Sequence, residues 1–244
     1  MIDSLYLFIA LALLAEVLGT LGGFGSSLFF IPLATYFLDF DSALGITALF
    51  HVFSNLSKIA LFRKGIDKKL LLYIGLPALA FVVLGAYLSA FVRGQWLEIV
   101  MAIFLIVLSI TLLINKNFRI APTPTHSLLG GASSGFVSGF LGTGGAIRGL
   151  TLAAYQLPMA VFIATSALID LGIDCSRTVV YYYNGYIHQK DLYLLPILLV
   201  VSVLGTYVGK KILERVAENQ FRVVVLVLIL STGLSSLVKI LLID

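Results

Sequence analysis

The sequence predicts an all-α polytopic membrane protein built from two inverted repeats, each a glycine-broken pair of short helices followed by three transmembrane helices. Three observations carry this: apolar composition, a polar break at mid-chain, and motifs that recur about 120 residues apart. Of 244 residues, 60% are hydrophobic and only 11% charged, whereas a soluble domain has about a quarter of its residues charged. At about 20 apolar residues per crossing, this length provides about six to eight membrane segments and no separate soluble domain. The net charge of +4 would point to nucleic acid in a soluble chain. Here Lys and Arg mostly fall between apolar runs, where they set orientation, and no nucleic-acid partner is expected. Cys175 is the only cysteine, which excludes an internal disulfide and a multi-cysteine metal site. No metal or cofactor is expected.

The first apolar stretch follows Met1-Ile2-Asp3, which lacks the basic residues of a signal peptide, so it reads as a membrane segment. Residues 4–18 lead into a glycine cluster, and a short apolar segment follows at 27–38. Longer helices are expected at 43–63, 69–92 and 95–114. Then comes the polar stretch from Asn115 to His126, whose Pro122, Pro124, Lys116 and Arg119 cannot continue a membrane helix. The same order resumes: 127–139, a glycine cluster, 146–156, then 159–183, 191–211 and 219–242. Gly19, Gly22 and Gly25 align with Gly139, Gly142 and Gly145; Pro77 falls on Pro196, Gly65 on Gly185, and Gly85-Ala86-Tyr87 on Gly205-Thr206-Tyr207. Residues 1–115 and 127–244 are therefore read as repeats of one transport domain, joined by a central loop at 116–126.

Neither short segment fills the hydrocarbon core of about 30 Å, so each pair is either one interrupted span or a re-entrant hairpin. Charge counting separates the two. Hairpins place Arg63, Lys64, Lys68, Lys69, Lys116, Arg119, Lys210, Lys211, Arg215 and Arg222 on the cytoplasmic side, and Arg93, Lys190 and Lys239 outside. Spanning pairs spread the charges more evenly. The positive-inside rule favours hairpins, inverted repeats and external termini. Inverted repeats with discontinuous helices are an architecture of secondary transporters.

Charged groups inside the apolar segments are expensive, about 2.5–3.5 kcal/mol each on insertion scales, so they face a cavity or one another. His51, Asn55 and Lys58 stand at i, i+4 and i+7, on one helix face. The second repeat has Asp170, Asp174 and Arg177 at the same spacing. Two readings stand for these groups. Asp174 and Arg177 either neutralise each other or face a shared cavity; Lys58 either lines it or snorkels toward Arg63. His51 is either a satisfied helix histidine or a functional group, and Glu16, one turn before Gly19, either handles protons or packs by hydrogen bonds.

The clusters Gly22-Gly23-Phe24-Gly25-Ser26-Ser27 and Gly142-Thr143-Gly144-Gly145 each precede a short helix. First-turn N–H groups lack intrahelical partners, and the helix dipole adds positive potential there, so such an end suits an anion. Arg148 follows Gly145 within one turn and brings a planar fork that matches oxyanions. Candidate anion contacts are thus Gly22, Gly23, Gly25, Ser26, Gly142, Thr143, Gly144, Gly145, Arg148, Asn55, Lys58 and Arg177. Candidate coupling groups are His51, Asp170 and Asp174, since imidazole and carboxyl groups exchange protons. Tight packing of small residues is the competing explanation of the glycines.

The duplicated glycine clusters, the run from Gly139 to Arg148 and Asp174-Cys175-Ser176-Arg177 resemble the TauE/SafE sulfite exporter family over essentially the whole chain. The resemblance implies transport of sulfite, sulfonates or related sulfur-containing anions. Ala146 and Ile147 stand where many members continue with glycine, which implies a subgroup with its own substrate. The expected protein is a secondary carrier of a small sulfur-containing anion in the inner or plasma membrane, with the lipid bilayer and protons as its other partners. A channel is the alternative. An intramembrane hydrolase is disfavoured: Gly131-Ala132-Ser133-Ser134-Gly135 resembles a serine loop, but His188 falls in a loop, and Asp170 and Asp174 share one helix face.

Overall fold

The computed structural model describes residues 2–23, 25–62, 65–115, 120–215 and 218–243, all helices and connections. In the first half, α1 is Ile2–Gly22, α2 Ser27–Ala34, α3 Phe40–Leu61, α4 Lys68–Ser89 and α5 Gly94–Ile114. The second half runs α6 Pro124–Leu141, α7 Gly145–Ala153, α8 Met159–Tyr183, α9 Leu194–Leu213 and α10 Glu218–Ile243. Among the described residues the helices of the two halves follow in the same order, with one extra 3-10 turn at Gln189–Asp191 before α9. Seven helices among the described residues are long and apolar enough to cross a membrane, and the protein is a multi-pass integral membrane protein.

The expected bounds need correction at both hairpins: α2 ends at Ala34 rather than 38, α6 covers Pro124–Leu141 rather than 127–139, and α7 ends at Ala153 rather than 156. α1 does not stop at residue 18 but continues to Gly22, 21 residues in all, about 30 Å at the α-helical rise. Gly19 and Gly22 are inside the helix, and the break falls at Gly23 and Gly25, both with positive φ. At the other end of the polar centre α6 begins on Pro124, because Thr123 caps the His126 N–H and a proline needs no donor in the first turn. α4 carries a π-turn at Leu71–Gly75. Pro77 has no N–H to give and its ring crowds the carbonyl four residues back, which widens that turn.

Both short helices fold back beside the helix before them. Phe37, just past α2, meets Phe8 near the start of α1, ring centroids 5.5 Å apart. Tyr155, just past α7, bonds Ser127 at 2.6 Å and the Thr123 carbonyl at 3.4 Å. Each pair is therefore a hairpin that returns to the end where it began.

The halves interlock. α6 lies along α4, with Gly131 against Ile74, Gly135 against Ala78 and Gly139 against Val82, so the two run parallel at backbone contact. α1 lies along α9 in the same way, Gly205 against Glu16 and Gly209 against Thr20. The counterparts α3 and α8 run antiparallel: Ser42 meets His188, Asn55 meets Asp174, and the Asp67 N–H meets Thr165. α5 and α10 are antiparallel too, Glu98 facing Lys239 and Leu105 facing Gly233.

Polarity is arranged for lipid. Leu72, Tyr87 and Val200 stand outside, whereas the largest fully buried side chains are Arg148 and Arg177. A chain in water would reverse this. Apart from the buried Lys58, Arg148 and Arg177, the cations placed by contacts sort to two ends. Lys210 bonds the Leu61 carbonyl at one; Lys190 sits by Asp39, Gly94 abuts Asp41 next to Arg93, and Lys239 bonds the Thr35 carbonyl at the other. Of the charges counted from sequence, Arg63, Lys64, Lys116 and Arg119 lie outside the described residues, as does the Arg222 side chain.

Candidate functional site

The two polar stripes meet. Asn55 and Asp174 occupy the same position of their repeats, and Asn55 Nδ2 donates to Asp174 Oδ2 at 2.7 Å. Around them three ion pairs form. Lys58 Nζ is 3.0 Å from Glu16 Oε1, Arg177 Nη2 is 2.7 Å from Asp174 Oδ1, and Arg148 Nη1 pairs with Asp170 Oδ1. All three cations are nearly inaccessible. Such pairing is what burial in lipid demands, since each isolated charge costs several kcal/mol.

Lys58 does not snorkel toward Arg63. It turns inward to Glu16, helped by a 2.6 Å bond to Ser54, one helical turn earlier. Glu16 is also reached by Ser26 at 2.7 Å, Ser54 at 2.6 Å and Thr206 at 3.0 Å. Ser26 contacts His51 Nε2 at 2.9 Å, while His51 Nδ1 faces Asp174 Oδ2 at 3.8 Å. Of these hydroxyls, Ser54 and Thr206 escape a reading of the sequence. Ser54 had a signal, standing four before Lys58 on the same stripe; Thr206 had only its place in the repeated Gly205-Thr206-Tyr207.

A small cavity opens beside these pairs, lined by Gly23, Gly25, Asn55, Lys58, Arg148, Ser166 and Asp170, with Gly19, Thr20, Ile163 and Ala167 completing the wall. It offers about 20 Å³ of water-sized space, room for about one water molecule. Arg148 reaches it from the first turn of α7, its Nε held by Ser166 at 3.0 Å. The arginine of the second half thus faces the glycine loop of the first.

The remaining candidates lie elsewhere. Gly22 closes α1. Gly142 accepts from Arg177 Nη1 at 2.6 Å, and Gly144 is packed so tightly on Ser134 and Ser138 that no Cβ fits. Gly145 opens α7. Thr143 accepts from Ser27 at 3.2 Å, which joins the two hairpin tips. Arg177 therefore braces the second glycine loop, whose expected anion contacts are given over to packing in this conformation. The serine-loop resemblance dissolves as well: residues 131–135 are α6 helix, and Ser134 donates to the Gly144 carbonyl at 2.9 Å.

The family described as "Sulfite exporter TauE/SafE" matches residues 8–236. A "probable membrane transporter protein" of Methanocaldococcus jannaschii is 28% identical over 245 aligned positions, which cover 89% of each chain. No solved structure matches. With all but the chain ends matched, the protein belongs to the TauE/SafE sulfite exporter family of membrane transporters.

Proposed function

We propose that the protein is a secondary carrier of a small sulfur-containing anion, such as sulfite, thiosulfate or a sulfonate, across the inner or plasma membrane, with no catalytic chemistry. One observation carries this: a cavity between the halves joins a glycine loop to Arg148, Lys58 and Asn55, a set of donors for an oxyanion. Residues 1–115 and 127–244 act as the two repeats, linked by 116–126. Their inversion across the bilayer is supported by the antiparallel run of α3 against α8 and of α5 against α10. A cavity with room for about one water must widen to admit sulfite, which suits alternating access better than an open pore.

Proteoliposomes loaded with unlabelled sulfite test the reading. A carrier gives saturable uptake of labelled sulfite that accelerates when sulfite is present inside. Flux that does not saturate and ignores internal sulfite indicates a channel, and flux of none of the three anions rejects the reading.

A further inference from the structure

Glu16 is fully buried and receives more donors than any other acid of the cluster. Oε1 accepts from Ser54, Thr206 and, at 3.4 Å, Thr20, with Lys58 at 3.0 Å; Oε2 accepts from Ser26. Ser26 has one proton to give. Spent on Glu16, that proton leaves the 2.9 Å contact with His51 Nε2 to be donated by the ring. His51 therefore carries hydrogen on Nε2 and turns Nδ1 toward Asp174. The result is a hydrogen-bonded chain of exchangeable groups, His51, Ser26 and Glu16, with Asp174 Oδ2 3.8 Å from the open Nδ1 of the ring.

The acids differ in the cation each one faces. Asp170 and Asp174 each face a guanidinium anchored by further bonds, to Ser166 for Arg148 and to the Gly142 and Ser138 carbonyls for Arg177. Glu16 faces an ammonium on a flexible stem, and that same Lys58 lines the cavity. The groups around His51 are Glu16 from α1, Ser26 at the start of α2, Asn55 and Lys58 from α3, Arg148 from α7, and Asp170, Asp174 and Arg177 from α8. Their charges sum to zero, three acids against three cations. An anion entering this balanced site leaves one buried negative charge in excess.

We propose that Glu16 is the proton-binding group of the transport cycle, loaded through His51 and Ser26, and that its protonation releases Lys58 to hold the anion. A proton taken up at Nδ1 makes His51 an imidazolium. The Nε2–H bond then breaks toward Ser26 Oγ as the Ser26 O–H bond breaks toward Glu16 Oε2. His51 ends neutral with hydrogen on Nδ1, Ser26 is again a hydroxyl, and Glu16 is a carboxylic acid. One proton restores neutrality for one negative charge, so a monoanion such as hydrogensulfite or a sulfonate moves with one proton and no net charge. The second half of this scheme rests on the anion-carrier reading; the assignment of the proton to Glu16 does not.

Infrared difference spectra of the full-length protein, recorded without any anion as pH is lowered, test the assignment. A protonated-carboxyl band is expected that persists in Asp170→Asn and Asp174→Asn and is absent from Glu16→Gln. A band retained in Glu16→Gln, or no titrating band at all, overturns it. Because Glu16→Gln removes a group with many partners, Ser26→Ala gives a second route in proteoliposomes with labelled sulfite. The ratio of pH-gradient-driven accumulation to counterflow should fall at least tenfold. An unchanged ratio overturns the relay, and wild-type protein without sulfite counterflow overturns the Lys58 step while leaving the infrared result to decide on Glu16.

Discussion

Arg148 bonds Asp170 and Ser166 through different nitrogens of one planar group, so shape matters there as well as charge. Arg148→Lys keeps a partner for Asp170 but loses the fork. Sulfite affinity is expected to drop at least tenfold with the melting temperature moved by only a few degrees, both read on one preparation; unchanged affinity removes Arg148 from the site. Asp174 gives a sharper stability test, since Asp174→Ala leaves Arg177 charged and buried, at a cost of about 3–5 kcal/mol. Adding Arg177→Met should recover part of that loss but not all, because the Gly142 carbonyl then lacks its donor. A double variant no more stable than the single would show that the two are not partners. Outside the membrane segments, Asp39 caps α3. Burial pushes its carboxyl up, but the Ser42 N–H and hydroxyl, with Lys190 and His188 nearby, hold it below the usual carboxylate value. A group depressed in the folded state stabilises above its unfolded pKa, about 3.9, and loses that contribution as pH falls through the folded value. Asp39→Ala should cost about 1 kcal/mol at neutral pH and less below about pH 4, measured by thermal unfolding at both.

Glycine has two different jobs on the helices, and substitutions separate them. A Cβ at Gly135 would strike the Ala78 backbone, whereas one at Gly172 meets only the end of the Leu79 side chain, which can turn away. Gly135→Ala is therefore expected to lose about 1–3 kcal/mol or more, and Gly172→Ala well under 1, by thermal unfolding in detergent. Similar losses would mean that α4 and α6 part more readily than their contact implies. Much of this layer was legible in the sequence. α8 falls on its expected range because Pro158 and Gly185 punctuate it at both ends. The three-residue stripes were legible because a helix repeats every 3.6 residues and acids and bases are rare in lipid. The end of α1 was not, since glycine permits helix and break alike and only the return of Ser26 onto Gly19 decides between them. Nor was the setting of Glu16: its donors come from α1, α3, α9 and the first glycine loop, a convergence that no spacing within one segment encodes.

At the scale of the whole molecule, the sorting of cations to two ends predicts orientation. In a Cys175→Ser background, Arg93→Cys and Lys190→Cys should react with an impermeant thiol reagent from outside, and Lys69→Cys and Lys211→Cys only from the cytoplasmic side. Reaction of all four from one side would refute the inverted arrangement. The crossed packing of α1 on α9 and α6 on α4 also has a consequence in time. A ribosome delivers α1 first, yet Thr206, a donor to its buried Glu16, lies 190 residues downstream. Until α9 has entered the membrane, the acid has only early partners, Ser26, Ser54 and Lys58 among them, and the groove on Gly205 and Gly209 does not exist. Neither half can mature alone. Residues 1–115 expressed without the rest should be inserted and then degraded, whereas co-expression with 116–244 should restore a stable pair, followed by pulse-chase; a long-lived first half would show that it folds without the second.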